Sequence, residues 1–247
     1  MAKSKEKKYK LGEAVSIIAH RLKNPIAIVK GYLEALVSED CGEINQNQKE
    51  YLSDAMINLK EMSKTVNDLI SVSIIEENKY KLNLKLVSLE DIVFKVLSEF
   101  FYWAKASNSK IVFKKAKKLP QVLTDPDKIK SVVENLISNA IKYNLGSGLI
   151  EVSVLLRQRG KEILFSCKDN GIGILEKDYK KVFTKFYRSE KALEIDPSGS
   201  GLGLYIDKAI IELSGGKIWF ESNKNRGTTF YFTLPIAKPQ EKNHNAK

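Results

Sequence analysis

Glu134-Asn-Leu-Ile-Ser-Asn-Ala-Ile-Lys-Tyr143 carries two periods at once. Ile129, Val132, Val133, Leu136, Ile137, Ala140 and Ile141 recur at three- and four-residue steps, the stripe of a helix that faces a core. Asn135, Asn139 and Lys142 follow at i, i+4 and i+7, a polar row along the edge of the same helix. Amide carbonyl oxygens are hard ligands suited to Mg²⁺, which keeps waters and adds phosphate oxygens. A lysine offers phosphate a point charge. Asp125-Pro126 opens the helix: Asp can cap it, and Pro fits its first turn. Taken alone, the polar row also reads as a solvated helix edge.

Two glycine-rich stops follow. Asp169-Asn-Gly-Ile-Gly173 ends a strand pattern. A carboxylate there can accept a hydrogen bond from an exocyclic amine and so select adenine over guanine, and Gly171 and Gly173 let the chain bend sharply beside a ring. The same letters also make a common turn. Gly199-Ser-Gly-Leu-Gly-Leu204 runs into a helix, so Gly199, Gly201, Leu202 and Gly203 set free N–H groups where an anion can bind. It is neither a dinucleotide fingerprint nor a P-loop, lacking the strand-then-helix opening near the chain start and a following Gly-Lys-Ser/Thr. Between the stops, Val182-Phe-Thr-Lys-Phe-Tyr-Arg188 and a polar run to Ser198 suggest a mobile lid, with Lys185 and Arg188 in reach of phosphates when it closes. A plain surface helix and loop is the other reading.

The 247 residues suffice for one or two domains, and 43% hydrophobic with 29% charged residues is ordinary for a globular protein. No window approaches a membrane span, and Met1 to Lys8 is basic with no apolar stretch behind it, unlike a signal peptide. A cytoplasmic location is expected. Cys41 and Cys167 fit neither a disulfide framework nor a metal site. The net charge of +11 is spread among lysines that are not interleaved with stacking aromatics, which argues against nucleic acid and suits an acidic partner or a polyphosphate.

Residues 11–77 lack strand signals. Val15, Ile18, Leu22, Val29, Leu33 and Leu36, then Leu52, Ala55, Leu59, Met62, Val66 and Leu69 after Asp40-Cys-Gly42, predict the seam of an antiparallel helical hairpin with helices of about four to seven turns. A hairpin alone buries little, so two copies are expected to pair as a four-helix bundle, a homodimer; docking on the second domain is the alternative. Residues 82–236 alternate strand patterns (near 83–87, 110–114, 149–156, 162–168, 217–223 and 228–234) with helix patterns (near 89–106, 126–144 and 202–214). The fold class is α+β: a helical hairpin followed by an α/β sandwich. The polar stretch 238–247, with His244, is expected to fray.

In this order, residues 82–236 resemble the catalytic ATP-binding domain of sensor histidine kinases, members of the Bergerat-fold ATPases with gyrase and the heat-shock chaperones. The Asn-bearing helix, the Asp-x-Gly-x-Gly loop, the Phe-x-x-Phe segment, the Gly-x-Gly-x-Gly loop and Gly227-Thr-Thr-Phe230 all fall in family order. The resemblance implies that ATP is the ligand, with Thr228 in the cofactor-binding set. It also implies that Asn139, often with Asn135, binds Mg²⁺, that Asp169 binds adenine and that Tyr143 lines the base pocket. Hydrolytic cousins carry glutamate where this chain has Asn135. An Asn cannot act as a base, which suits handing phosphate on rather than hydrolysing ATP. Glu134 lies about 100° away around the helix and is not expected to substitute.

Ala19-His-Arg-Leu-Lys-Asn-Pro25 resembles the family's phospho-acceptor box, which makes His20 the acceptor nucleophile. Off the seam through Ile18 and Leu22, His20 is expected to be exposed, with Asn24 one turn later on its face. Where the family has an acid directly after the histidine, this chain has Arg21. Loss of that base predicts a slow or conditional autokinase, and Arg21 can compensate in part by attracting the transferring phosphoryl group. Asn24 matches the residue that orients water for removing phosphate from a partner. The resemblance implies an ATP-dependent histidine kinase that passes its phosphoryl group to the aspartate of a response-regulator receiver domain. No sensor precedes residue 11, so sensing, and any membrane contact, is expected on a missing part or another chain. Two other readings stand: an ATP-binding scaffold whose kinase step has decayed at Arg21, and a serine kinase of the same ATPase superfamily.

Overall fold

In a computed structural model the chain divides into two units, Met1–Tyr80 and Lys81–Lys247. The structure describes residues 2–116, 118–144, 148–157, 161–223 and 226–237, and for residues 2–16 and 20 the backbone alone. The tail expected at 238–247, with His244, lies outside the described residues.

The first unit is the hairpin: α1 (Ala2–Val37) and α2 (Gln46–Glu76). Asn45 starts α2 with a reciprocal cap: its side chain accepts from the Gln48 N–H at 2.9 Å while the Gln48 side chain accepts from the Asn45 N–H at 2.8 Å. The 36 and 31 residues of these helices make them longer than the sequence periodicity predicted. Pro25 interrupts the hydrogen-bond ladder of α1 without ending the helix.

The seam keeps Leu33, Leu59, Val66 and Leu69 of the expected one and differs from it elsewhere. Ala19, Ile26, Leu59 and Val66 are buried, with Leu33, Leu69 and Ile70 packed against them. Ala19, Ile26 and Leu33 keep a strict seven-residue step. Ile18, Leu22, Val29, Leu36 and Met62, assigned to the seam, are exposed instead. The small Ala19 lets the helices approach along the neighbouring row, so a broad apolar arc is half covered and half open within one chain.

In the second unit β1 (Lys85–Val87) pairs antiparallel with β3 (Val122–Thr124), and a five-stranded mixed sheet runs β2-β4-β5-β7-β6. Its strands are β2 (Lys110–Lys115), β4 (Leu149–Arg157), β5 (Glu162–Lys168), β6 (Lys217–Ser222) and β7 (Thr228–Pro235), and only β2 and β4 are parallel neighbours. Between them lie α3 (Leu89–Ala106), α4 (Pro126–Lys142), α5 (Glu190–Ile195) and α6 (Gly203–Leu213). Helix α3 packs on β2, α4 on β5, and α6 on β6 and β7, one helical layer on one sheet face. Val154, Phe165 and Phe232 fall in register across the sheet, and the rings of Phe165 and Phe232 stack at 4.6 Å. Cys167 joins this core, where burial pushes its thiol pKa up.

Strand β3 and helix α5 are absent from the sequence reading. Val122-Leu-Thr124 is too short for alternation to register, and its pairing with β1 spans residues far apart in sequence. Asp125 caps α4 by accepting from the N–H groups of Asp127 and Lys128, and its other oxygen accepts from the Asn83 N–H at 2.9 Å. The cap therefore ties the entry of the unit to the helix that carries the polar row. Replacing Asp125 by Ala removes all of these bonds and should lower stability by about 1–2 kcal/mol, read as a lower urea midpoint with an unchanged slope.

Candidate functional site

Helix α4 buries Ile129, Val132, Val133, Leu136, Ile137, Ala140 and Ile141, which leaves Asn135, Asn139 and Lys142 half-buried along its edge. Each meets a different environment. The Asn135 amide donates through Nδ2 to the Asp207 carboxylate at 2.6 Å. The Asn139 side chain has no hydrogen bond among the described residues. The Lys142 ammonium donates to Asp196 at 2.7 Å. Glu134 points elsewhere: its carboxylate pairs at 2.9 Å with Lys130, which also holds Glu99. Those two hydrogen bonds, Glu134 first, raise the Lys130 pKa.

Tyr143 closes α4, and its backbone carbonyl accepts from the Ile172 N–H at 3.1 Å. This bond draws the Asp169–Gly173 loop onto the end of the helix. Gly171 permits it, since a Cβ there would stand 2.1 Å from the Tyr143 carbonyl oxygen. Asp169 is buried. Its Oδ1 accepts from the N–H groups of Gly171 at 2.9 Å and Thr228 at 3.1 Å. Burial pushes the carboxyl pKa up, and the two backbone N–H bonds hold it down only in part. Thr228 Oγ1 meets Ser222 Oγ at 2.8 Å, and Ser222 Oγ accepts from the Ile174 N–H at 2.8 Å. Strands β6 and β7 thus brace both ends of the loop.

The segment expected to be a lid contains the short helix α5, capped by Ser189. Arg188 does not reach outward. Its guanidinium donates to the backbone carbonyls of Ala192, Asp196, Pro197 and Gly199, stapling the segment from within. The expected role at phosphate would therefore need the two terminal nitrogens of the guanidinium, Nη1 and Nη2, to leave these carbonyls. Lys185 lies 5.8 Å over the Tyr205 ring. Burial works to raise the Asp196 carboxyl, but hydrogen bonds from Lys142 and Ser198 and the charges of Lys142 and Arg188 outweigh it and leave its pKa lowered. The Gly199–Leu204 stretch then enters α6, with Gly199 against Arg188. Leu202 is buried in the core, so only its backbone faces any ligand. Gly203 packs on the Asn135 amide, where a Cβ would stand 2.7 Å from Nδ2.

The separate sequence signals therefore converge. Tyr143 joins Ile172, Asp169 joins Thr228, Asn135 joins α6, and Lys142 joins the end of α5 through Asp196. The arrangement offers unengaged amide oxygens, a lysine and a buried acceptor around the start of a helix. Sequence reasoning did not single out Asp196, Asp207 or Ser222. All three act through partners remote in sequence, and no local pattern marks them.

The other candidate residues lie in the hairpin unit. Arg21 and Asn24 are exposed on α1. His20 lies on the α1 backbone next to Ala19, and the expected exposure of its imidazole falls outside the described side chains. With Ala19 in the seam, His20 sits about 100° around the axis from it at the regular helical step.

Residues 124–238 match the family "Histidine kinase-, DNA gyrase B-, and HSP90-like ATPase", and residues 10–78 match "His Kinase A (phospho-acceptor) domain". The sensor histidine kinase WalK of Bacillus subtilis is 33% identical over 93% of this chain, and the sensor protein kinase WalK of Staphylococcus aureus is 31% identical over 90%. The chain spans 37% and 53% of the lengths of these two relatives. The catalytic domain of histidine kinase ThkA in a nucleotide-free form is 28% identical, with TM-score 0.55, over 62% of this chain and 96% of that one. Full-length ShkA in complex with AMPPNP shares the fold, with TM-score 0.74 at 21% identity over 92% of this chain and 46% of that chain. Among the described residues no helix is long and apolar enough to cross a membrane. A phospho-acceptor hairpin followed by this ATPase fold, with relatives matched along nearly all of its length, makes the chain a member of the two-component sensor histidine kinase family.

Proposed function

We propose that this chain is an ATP-dependent protein histidine kinase that phosphorylates its own His20 and passes the group to an aspartate of a response-regulator receiver domain. The observation that carries the reading is the joining, in one chain, of a phospho-acceptor hairpin to a site where an amide row, a buried carboxylate and a glycine-rich helix start meet.

In this reading Asp169 accepts a hydrogen bond from the exocyclic amine of adenine, and Tyr143 lines the base. Asn139 and Asn135 hold magnesium through their carbonyl oxygens. These oxygens fit the ion: they are hard, neutral and not engaged by donors among the described residues. No group of three or more His, Cys, Asp or Glu among the described residues could hold a metal by itself, so the ion would share phosphate oxygens. Magnesium, when bound, neutralises charge on those oxygens. Lys142 takes phosphate charge by leaving Asp196, and the free N–H groups at the start of α6 take more.

An imidazole nitrogen of His20 then attacks the γ-phosphorus. The N–P bond forms as the bond to the ADP oxygen breaks, and the imidazolium releases its proton. Arg21 cannot take that proton, so turnover is slow. The exposed face of Ile18, Leu22, Val29, Leu36 and Met62 supports pairing of two copies into a four-helix bundle.

Three groups of outcomes test this reading, and the first concerns His20. Incubation with γ-labelled ATP should label wild type and not His20→Ala, and the label should be lost in acid. Arg21→Glu should label about tenfold faster or more. Nucleotide uptake with His20 unlabelled in wild type and in Arg21→Glu would favour the scaffold reading, and acid-stable label a hydroxyl acceptor.

The second group concerns Asp169. Asp169→Asn keeps an oxygen for the N–H groups of Gly171 and Thr228 but turns a donor toward the adenine amine. It should weaken ATP by about 10- to 100-fold, the cost of one mismatched buried polar contact, with no loss of thermal stability. Because the folded carboxyl has a raised pKa, the folded state holds the proton more tightly than the unfolded chain. This contribution to stability is present at low pH and lost as pH rises through the folded pKa. Nucleotide binding needs the ionised form and runs the other way: it should weaken as pH falls through the same range in wild type and stay flat in Asp169→Asn. Titrations of binding against pH read both.

The third concerns the reverse activity. If Asn24 orients water, Asn24→Ala should release phosphate from a phosphorylated receiver domain about tenfold or more slowly than wild type while His20 labelling persists. Equal release rates would remove the role.

A further inference from the structure

Asp207 lies on α6 with only 3% of its surface exposed. Its Oδ2 accepts the hydrogen bond from Asn135 Nδ2 at 2.6 Å. A carboxylate buried between two helices is costly unless it is hydrogen-bonded, and an apolar side chain would serve packing alone at lower cost.

An asparagine that serves a cation has two unlike ends. Its carbonyl oxygen can ligate, whereas its NH₂ group repels the ion, and rotation by half a turn about the last side-chain bond exchanges them. An ionised carboxylate accepts and never donates, so it pairs only with the NH₂ end. Here that pairing leaves Oδ1 as the free end, and no donor among the described residues engages it. Gly203 closes the other side: a Cβ at this position would stand 2.7 Å from Nδ2 and 2.8 Å from Oδ1. The amide is thus clasped by two positions one turn apart on α6. Neither clasp touches Asn139, four residues along α4, whose side chain is unengaged.

We propose that Asp207 is a positioning residue for magnesium: it holds Asn135 with its carbonyl oxygen turned to the ion, beside Asn139. The inference rests on reading Asn135 and Asn139 as the magnesium ligands. A carboxylate behind a ligand also makes the ligand oxygen more electron-rich, as partners behind metal ligands do.

The test is equilibrium binding of a non-hydrolysable ATP analogue to the whole chain, in EDTA and across a magnesium series. Wild type, Asp207→Asn and Asp207→Leu are compared. Asparagine at this position can accept from Asn135 Nδ2 or donate to Oδ1, so it pairs with the amide without fixing its direction, and leucine pairs with neither end. The magnesium concentration giving half of the affinity gain should rise by about 10- to 100-fold in Asp207→Leu, the effect of losing a partner behind a metal ligand. In Asp207→Asn it should also rise, by no more than in Asp207→Leu, because an amide partner can accept or donate and so fixes the direction only in part. Binding in EDTA should be equal in all three.

An unchanged magnesium response in Asp207→Leu overturns the proposal, and so does an equal loss in EDTA, which would mark a purely structural contact. A magnesium response in Asp207→Asn equal to wild type would show that an acceptor-only partner is not needed, and also overturns it. If wild type itself gains nothing from magnesium, the underlying ligand reading fails first. Should Asp207→Leu fail to fold by circular dichroism, Asp207→Ala carries the same comparison, since water can then pair with the amide without choosing its direction.

Discussion

The ATPase unit depends on one buried carboxylate. Asp169 sits where a strand gives way to a glycine turn, and burial there pushes its carboxyl pKa up against the backbone N–H groups that hold it down. Two such groups bond its Oδ1, one from its own turn and one from β7. These bonds need the turn to lie against the end of α4, which needs a glycine at 171. They also need the start of β7 held in place, which Ser222 does from β6. The same constraint sets the end of the polar row on α4, because Tyr143 accepts from the turn. A carboxylate kept half-answered in this way has one oxygen left over for a ligand amine, which a fully satisfied surface aspartate would not offer.

Much of this was legible in the residues. Helix α4 announces itself because its apolar stripe and polar row have the same period and Asp125-Pro126 marks its start. The long strands β4 and β5 announce themselves by alternation, since each buries one face only, and β7 does so until Thr233 is buried as well. What was not legible depends on pairing at a distance. Strand β3 is three residues long and exists because β1 lies beside it. The seam was read rightly at Leu33, Leu59, Val66 and Leu69 and went astray at the start of α1, because alanine is a weak hydrophobic signal; packing favours Ala19 for its small size, and the bulkier Ile18 and Leu22 stay open. The internal bonds of Arg188 were not legible either: basic character reads as readiness for phosphate, and here the guanidinium is held by carbonyls of its own segment. Asp196 and Asp207 look like ordinary surface acids until their partners on α4 are seen.

Both of these acids hold residues of the polar row, and they do so with opposite consequences. Asp196 occupies Lys142 with a charge that a phosphate would have to displace. Asp207 occupies only the end of Asn135 that a cation does not want. Before any ligand arrives, the row is therefore held partly shut by an ion pair and partly set by a hydrogen bond. The hairpin contributes a different asymmetry. In the proposed function the acceptor, His20, is followed by Arg21 and not by an acid, so its reactivity would rest on the intrinsic basicity of imidazole and on how well the γ-phosphate is presented.

The central claim is that the site around Asp169 grips an adenine nucleotide. Calorimetric titration of the chain with ATP and, separately, with GTP in excess magnesium tests it most directly. The account predicts saturable one-site binding of ATP and a far weaker response to GTP, whose ring carries a carbonyl where adenine carries the amine. Equal affinity for the two, or no uptake of ATP, would contradict it.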